Sequence, residues 1–198
     1  ARILIIGAGT VGSNAAGISL ALGMRVTVLN KGVERLRDVD EAFGGRIDTL
    51  VSTEHNIRER IREADIVVGA VLLRGERAPR CVTRQMLSGM KKGSVMVDVS
   101  IDQGGCFETS RPTTHEDPVY EVEGIIHYAV TNMPGAYPRT STIALTNRTL
   151  PYLRKLAAEG CEKAIREDPA LRSAVNTYGG KVVHGGLALS MGVEKGEI

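Results

Sequence analysis

The chain has 198 residues, of which 42% are hydrophobic and 24% charged, with a formal net charge of +2. That is an ordinary globular composition with too little charge to favour nucleic acid or an anionic membrane, and with no tryptophan and only 4% aromatic residues it offers few base-stacking platforms. No apolar stretch approaches a membrane span, and the three cysteines, Cys81, Cys106 and Cys161, are widely spaced, which points to free thiols in a reducing compartment rather than a disulfide framework. The four histidines, His55, His115, His127 and His184, lack metal-ligand spacing, so surface or packing roles are expected for them.

The first element is an apolar run, residues 3–6, leading into Gly7-Ala8-Gly9-Thr10-Val11-Gly12. An alanine-rich segment, 13–22, and a second β-rich run, 25–29, follow. A buried parallel strand reads as a continuous apolar run, so the order is strand, glycine turn, helix, strand. In this G-x-G-x-x-G context Gly7 permits the tight turn, Gly9 lets backbone approach a pyrophosphate, and Gly12 lets the helix pack closely on the strand. The helix N-terminus then offers unpaired N–H groups to the phosphates. The second strand ends at Asn30, near the spacing expected of a ribose-binding residue.

Further along, residues 33–43 carry Val33, Leu36, Val39 and Phe43 at helical spacing, and 46–52 read as a third strand. Residues 54–63 read as a short charged helix, and 65–72 as a fourth strand, which runs into a basic loop at 74–80. A helix is expected at 83–90, a fifth strand at 94–99, and a further strand at 125–130. Strand and helix alternate, so the expected fold is α/β, a Rossmann-type doubly wound parallel sheet. From residue 139 the pattern turns helical, with helices at 141–150, 152–158 and 161–167 and a brief strand at 181–183. The expected division is a dinucleotide-binding domain over 1–137 and a mainly helical segment over 138–198.

The stretch after the fifth strand, Val97-Asp98-Val99-Ser100-Ile101-Asp102-Gln103-Gly104-Gly105-Cys106, lies at the C-terminal sheet edge, where ligands of open α/β sheets bind. Asp98 and Asp102 are four residues apart. Either can serve beside a nicotinamide, or Asp98 can hydrogen-bond locally while Asp102 starts a turn.

This V-D-V-S-I-D-Q-G-G, with S-R-P-T-T-H at 110–115, H-Y-A-V-T-N-M-P-G at 127–135, P-R-T-S-T-I-A-L-T-N at 138–147 and the G-A-G-T-V-G turn, resembles alanine dehydrogenase over essentially the whole chain. The related transhydrogenase nucleotide-binding domain lacks the I-D-Q-G-G form and the following T-N-M-P. The resemblance implies NAD-dependent, reversible oxidative deamination of L-alanine to pyruvate and ammonia by a cytoplasmic homohexamer. It makes Asp102 the catalytic aspartate. Thr10 and Val11 match contacts to the pyrophosphate, Asn30 and Arg35 positions around the adenosine ribose, and Ser52 a contact near the adenine. Val71 and Leu72 match strand-four contacts to the cofactor, and Val99, Ser100 and Ile101 the backbone run leading to the aspartate. Arg111 matches a further cofactor contact, and Val130, Thr131, Asn132 and Met133 the loop lining the nicotinamide pocket. The alternatives are a non-catalytic NAD(P)-binding module and a transhydrogenase nucleotide-binding subunit.

Two departures from the family pattern stand out. The family usually has an acid where this chain has Asn30, followed by Lys31, so NAD is expected with NADP tolerated. The family's N-terminal half, with its catalytic histidine and the arginine and lysine that bind the substrate carboxylate, has no counterpart here. The expectation is a fragment, or a chain that needs a separately supplied N-terminal substrate domain, its own helical end completing that domain. Where the family can carry a metal-binding pair, this chain has Lys155 and Glu159, so no metal is expected.

Overall fold

The computed structural model describes residues 1–73 and 77–198. Two compact units emerge, one formed by residues 1–73 and 77–132, the other by residues 133–198.

The first unit is the expected alternation of strand and helix. It runs β1 (Arg2–Ile6), α1 (Thr10–Ala21), β2 (Arg25–Asn30), α2 (Val33–Phe43), β3 (Asp48–Val51), α3 (Glu54–Ile61), β4 (Ile66–Gly69), α4 (Arg84–Leu87), β5 (Val95–Asp98), β6 (Val119–Val122) and β7 (Ile125–Tyr128). The sheet order is β3-β2-β1-β4-β5-β7-β6, parallel throughout except for the edge strand β6, which pairs antiparallel with β7. Successive side chains of β1 point to opposite faces. Leu4 and Ile6 join Leu29, Val67, Met96, Ile57, Ile61, Leu87 and Phe107 on one side. Ile3 and Ile5 join Val26, Val28, Val68, Ala16, Leu36 and Val39 on the other. Both faces are therefore covered, as an all-apolar parallel strand demands. Each such side chain contributes about 1.5–3 kcal/mol by leaving water.

Several elements of this unit differ from expectation: the strand expected at 65–72 ends at Gly69, so Val71 and Leu72 lie beyond it, and that expected at 46–52 covers Asp48–Val51. The helix expected at 83–90 is a single turn, α4, continued only by tighter bonds from Gly89 N to Met86 O and from Met90 N to Leu87 O. The strand expected at 125–130 ends at Tyr128 and is half of a hairpin with β6. Its two-residue turn, Glu123-Gly124, has φ of 55° and 78°, the primed-turn geometry that suits strand twist. Glu123 holds that left-handed conformation while its carboxylate pairs with Arg84 at 2.7 Å and its carbonyl accepts from Lys92 Nζ.

In the second unit a 3-10 turn (Met133–Ala136) precedes α5 (Pro138–Glu159), α6 (Cys161–Glu167), α7 (Pro169–Ser173), β8 (Thr177–Tyr178), β9 (Lys181–Val182) and α8 (Gly185–Met191). The helices expected at 141–150 and 152–158 are one helix, α5, which continues through Pro151. No residue of α5 is buried, so the Asn147 carbonyl that Pro151 leaves without an N–H partner is free to take water. Asp168 caps α7 by accepting from Ala170 N and Leu171 N at 2.9 and 3.2 Å, and it also receives Lys155 Nζ at 3.1 Å. The strand expected at 181–183 has a partner, β8, joined to it through Gly179 and Gly180 at φ of 54° and 78°. Among the described residues no helix is long and apolar enough to cross a membrane.

His127 on β7 is 1% exposed and fully partnered. Its Nδ1–H donates to the Ile125 carbonyl at 3.0 Å, which leaves Nε2 to accept from the Thr109 hydroxyl at 2.8 Å. The ring also stacks on Tyr120 at 5.0 Å between centroids. Burial holds its pKa below the ordinary histidine value. The unfolded chain therefore binds the proton first, and stability falls as pH drops below about 6.5, by at most ~1.4 kcal/mol per pH unit. Urea denaturation at pH 7 and pH 5 is expected to show the chain weaker at pH 5, and His127→Gln is expected to shrink that difference while lowering stability at both.

Candidate functional site

The C-terminal ends of β1, β2, β4 and β5 form one edge. At β1 the chain turns at Gly7, φ 112°, whose N–H donates to Leu29 O at 2.7 Å. A Cβ on Gly7 would lie 2.3 Å from the Ala70 carbonyl oxygen, and one on Gly12 would lie 1.8 Å from the Gly7 carbonyl oxygen. These two glycines are thus dictated by packing. Gly9 differs. It has an ordinary extended backbone, and a Cβ there would meet nothing within 4 Å. Gly9 is also the N-cap of α1, and it supplies no capping side chain and no acid follows in the first turn. The N–H groups of Thr10, Val11 and the residues beside them open the helix facing free space, with a partial positive charge. Backbone donors, absence of a competing acid and absence of a Cβ are what a pyrophosphate requires.

Asn30 closes the neighbouring strand. Its Oδ1 accepts from Ala8 N at 3.1 Å, its Nδ2 donates to Gly32 O at 3.0 Å, and its carbonyl accepts from Ser52 N at 2.9 Å. One residue therefore joins the glycine turn, the loop before α2 and the end of β3. Arg35, in the first turn of α2, is 70% exposed at its side chain and lies 3.4 Å from Asp38.

At β5 the decisive residue is Asp98, which is 1% exposed. Its Oδ1 accepts from Ser100 N at 3.0 Å. Its Oδ2 accepts from Cys106 N at 2.9 Å, Phe107 N at 3.2 Å and the Ser110 hydroxyl. Asp98 is thus the local hydrogen-bonding residue of the two acids. The Cys106 thiol, 3.5 Å from Oδ1, is pushed far up by burial and then by this carboxylate, and burial likewise raises Cys81. Both thiols stay protonated, so neither acts as a nucleophile. The loop so tied folds back through Gly104 and Gly105, φ 89° and 78°, and Arg80 braces it by donating to the Gly105 carbonyl at 3.1 Å.

Asp102 sits on the 3-10 turn Ile101–Gln103, between buried Ile101 and that double glycine, and is exposed. Its Oδ1 accepts from Asn132 N at 3.3 Å. Asn132 is left-handed, φ 52°, and its carbonyl lies 3.2 Å from His115 Nε2. Val99 N donates to Gly69 O at 2.9 Å, and the Ser100 hydroxyl donates to Val71 O at 2.7 Å, which ties the β4 and β5 exits together. Val71 is half-buried and Leu72 is 67% exposed, while positions 74–76 of the expected basic loop lie outside the described residues. Buried Val130 bridges to Thr113, and Thr131 is exposed.

One expected contact sits apart from these. Arg111 lies with its guanidinium 4.0 Å over the Tyr120 ring, against edge strand β6. That is four strand spacings from β1, on the order of 19 Å. Met133 opens the 3-10 turn of the second unit. Sequence reasoning did not single out Ser110, Arg80 or Tyr120. The available signal was an acid ending a buried strand, because such a group must find several donors. Among the described residues no three His, Cys, Asp or Glu side chains cluster to hold a metal.

The family model described as "Alanine dehydrogenase/PNT, C-terminal domain" matches residues 1–185. Alanine dehydrogenase of Halomonas elongata is 51% identical over 98% of this chain and 52% of its own length. That of Staphylococcus haemolyticus is 50% identical over the same shares, 98% and 52%. The chain thus spans about half the length of these curated relatives. Among solved structures, an L-alanine dehydrogenase matches with a TM-score of 0.84 at 44% identity, covering 96% of this chain and 53% of that one. A transhydrogenase from Sinorhizobium meliloti matches with a TM-score of 0.74 at 27% identity, covering 93% and 50%.

The glycines separate packing from binding. Gly12→Ala is expected to lower stability by about 3 kcal/mol, because a backbone oxygen cannot yield as a side chain can. Gly9→Ala is expected to change stability by less than about 0.5 kcal/mol yet weaken NADH binding at least tenfold, measured by urea denaturation and fluorescence titration. Asp98→Asn turns an acceptor into a donor facing three donors, and is expected to cost about 2–4 kcal/mol in the same denaturation assay.

Proposed function

The chain belongs to the alanine dehydrogenase/PNT C-terminal domain family, and from that premise we propose that it is the coenzyme-binding half of an NAD-dependent alanine dehydrogenase. The reaction is the reversible oxidation of L-alanine with water to pyruvate and ammonium, two electrons leaving as hydride. We place the coenzyme domain at 1–137 and give residues 138–198 the task of completing a substrate domain supplied by the N-terminal half of the relatives. The cytoplasmic homohexamer is part of the same reading.

One observation carries it. An exposed carboxylate, Asp102, is held at the same sheet edge as an uncapped glycine turn by a tied loop behind it and by Asn132 N in front. Dinucleotide fits the first feature, since donors and free space coincide at Gly9. The nicotinamide, when bound, supplies the hydride acceptor. Asp102, as a carboxylate, favours the positive charge that develops at nitrogen as hydride leaves Cα, and orients the water that then attacks Cα. Fixed Asn132 and Ile101 keep that carboxylate from having to reorganise during the reaction. The higher identity to alanine dehydrogenases, together with the I-D-Q-G-G run, favours this over a transhydrogenase subunit.

Co-expression with the N-terminal half of the Halomonas elongata enzyme tests the reading by alanine-dependent NADH formation. The assembled pair is expected to turn over and the chain alone to bind NADH without turnover. Asp102→Asn is expected to reduce kcat by about 10²–10³-fold while leaving NADH affinity within about threefold. A stable assembly that binds NADH and alanine without turnover would make the chain a non-catalytic module.

A further inference from the structure

We propose that the ribose end of the coenzyme site admits a 2′-phosphorylated dinucleotide, with Asn30 as the residue that decides it. The proposal rests on the dinucleotide reading of the glycine turn.

Asn30 ends β2 in register with Val51 of β3. In a doubly wound sheet this position faces the adenosine ribose, where an acid binds the 2′-hydroxyl and repels a phosphate. Here the group is a neutral amide with both ends engaged inside the protein. Oδ1 takes Ala8 N at 3.1 Å, and Nδ2 gives one hydrogen to Gly32 O at 3.0 Å. What remains facing the ligand is the second Nδ2–H, a donor, which serves a phosphate oxygen and a hydroxyl alike. A carboxylate in this rotamer would keep the Ala8 bond and set its other oxygen against the Gly32 carbonyl, acceptor on acceptor. The loop is therefore shaped for an amide.

The surrounding charge agrees. Over residues 31–38, Lys31, Arg35 and Arg37 stand with Glu34 and Asp38, a balance of +1 that an acid at position 30 would cancel. Among the described residues Arg35 is held by its exposed contact with Asp38 at 3.4 Å, which is worth little and is readily exchanged for a phosphate. Ser52 follows the neighbouring strand end, its N–H donating to the Asn30 carbonyl at 2.9 Å. Gly32 caps α2 without a side-chain bond, which leaves backbone donors there, with the Glu34 carboxylate of the first turn beside them.

The experiment is a fluorescence titration of the 198-residue chain with NADH and NADPH, with 5′-AMP and 2′,5′-ADP as competing fragments. The expected result is an NADPH dissociation constant within about tenfold of that for NADH, and 2′,5′-ADP competing at least as well as 5′-AMP. Asn30→Asp is expected to raise the NADPH-to-NADH ratio of dissociation constants by about 30-fold or more. Because that variant disturbs the Gly32 loop, Lys31→Ala is the second arm, and it is expected to weaken NADPH and 2′,5′-ADP more than NADH. NADH binding with NADPH more than about 100-fold weaker would overturn the proposal and leave the site reading intact. Equal weakening of both coenzymes by Lys31→Ala would also overturn it. Failure of NADH itself to bind would overturn both.

Discussion

A single carboxylate without access to water holds the C-terminal sheet edge of the first unit in shape. Asp98 is 1% exposed, and an ionised group in that position is tolerable only because donors surround it. Three backbone N–H groups and one hydroxyl meet it, and they come from both ends of a loop that leaves β5 and doubles back. Satisfying Asp98 therefore fixes the path of residues 98–110. That path turns Gly104 and Gly105 left-handed and lifts Asp102 to the loop's exposed crest. A Cβ on Gly105 would come within 2.8 Å of Asp98 Oδ2, so the second glycine of the pair belongs to the same constraint. Two acids four residues apart thus have opposite tasks. One is consumed by structure, and the other is left facing outward with a single backbone donor.

Burial on both faces explains why so much of this unit was legible in the sequence. Ile3 to Ile6, and the apolar cores of β4 and β5, cannot be anything but interior strands, and the glycine turn announces where α1 begins. The edge hairpin was harder to see. In β6, Val119 and Glu121 are exposed and Tyr120 and Val122 only half-buried, so the strand has no continuous apolar signal, and Glu-Gly is a weaker turn marker than Asn-Gly. The continuity of α5 was hidden for the reverse reason. Pro151 is a strong local breaker, yet on a helix with no buried residue the carbonyl it leaves unpaired is open to solvent. At the site, Asp98 and Asp102 look alike as letters. What separates them is which backbone amides fold over them, and those lie up to 9 residues from Asp98 and 30 from Asp102.

The other half of the site shows a different economy of donors. A helix that begins on glycine forgoes a side-chain cap worth roughly a few tenths of a kcal/mol. α1 and α2 both do so, at Gly9 and Gly32. For α3, which starts at the same sheet edge, Thr53 supplies the cap in the ordinary way, as Asp168 does for α7. A ligand that binds only the folded chain returns that stability by mass action.

Asn30 links these two themes, because it is at once a brace and a selector. As a brace it needs an acceptor toward Ala8 and a donor toward Gly32, and among side chains of its size only an amide has both on one carbon. As a selector it withholds the negative charge that would distinguish a ribose hydroxyl from a phosphate. The two roles cannot be changed separately. Restoring an acid would remove the donor on which the Gly32 loop is built, so sharper coenzyme discrimination would have to come with a rearranged peptide at the start of α2. Selectivity at this end of the site is accordingly a property of the loop as much as of the residue that touches the ribose.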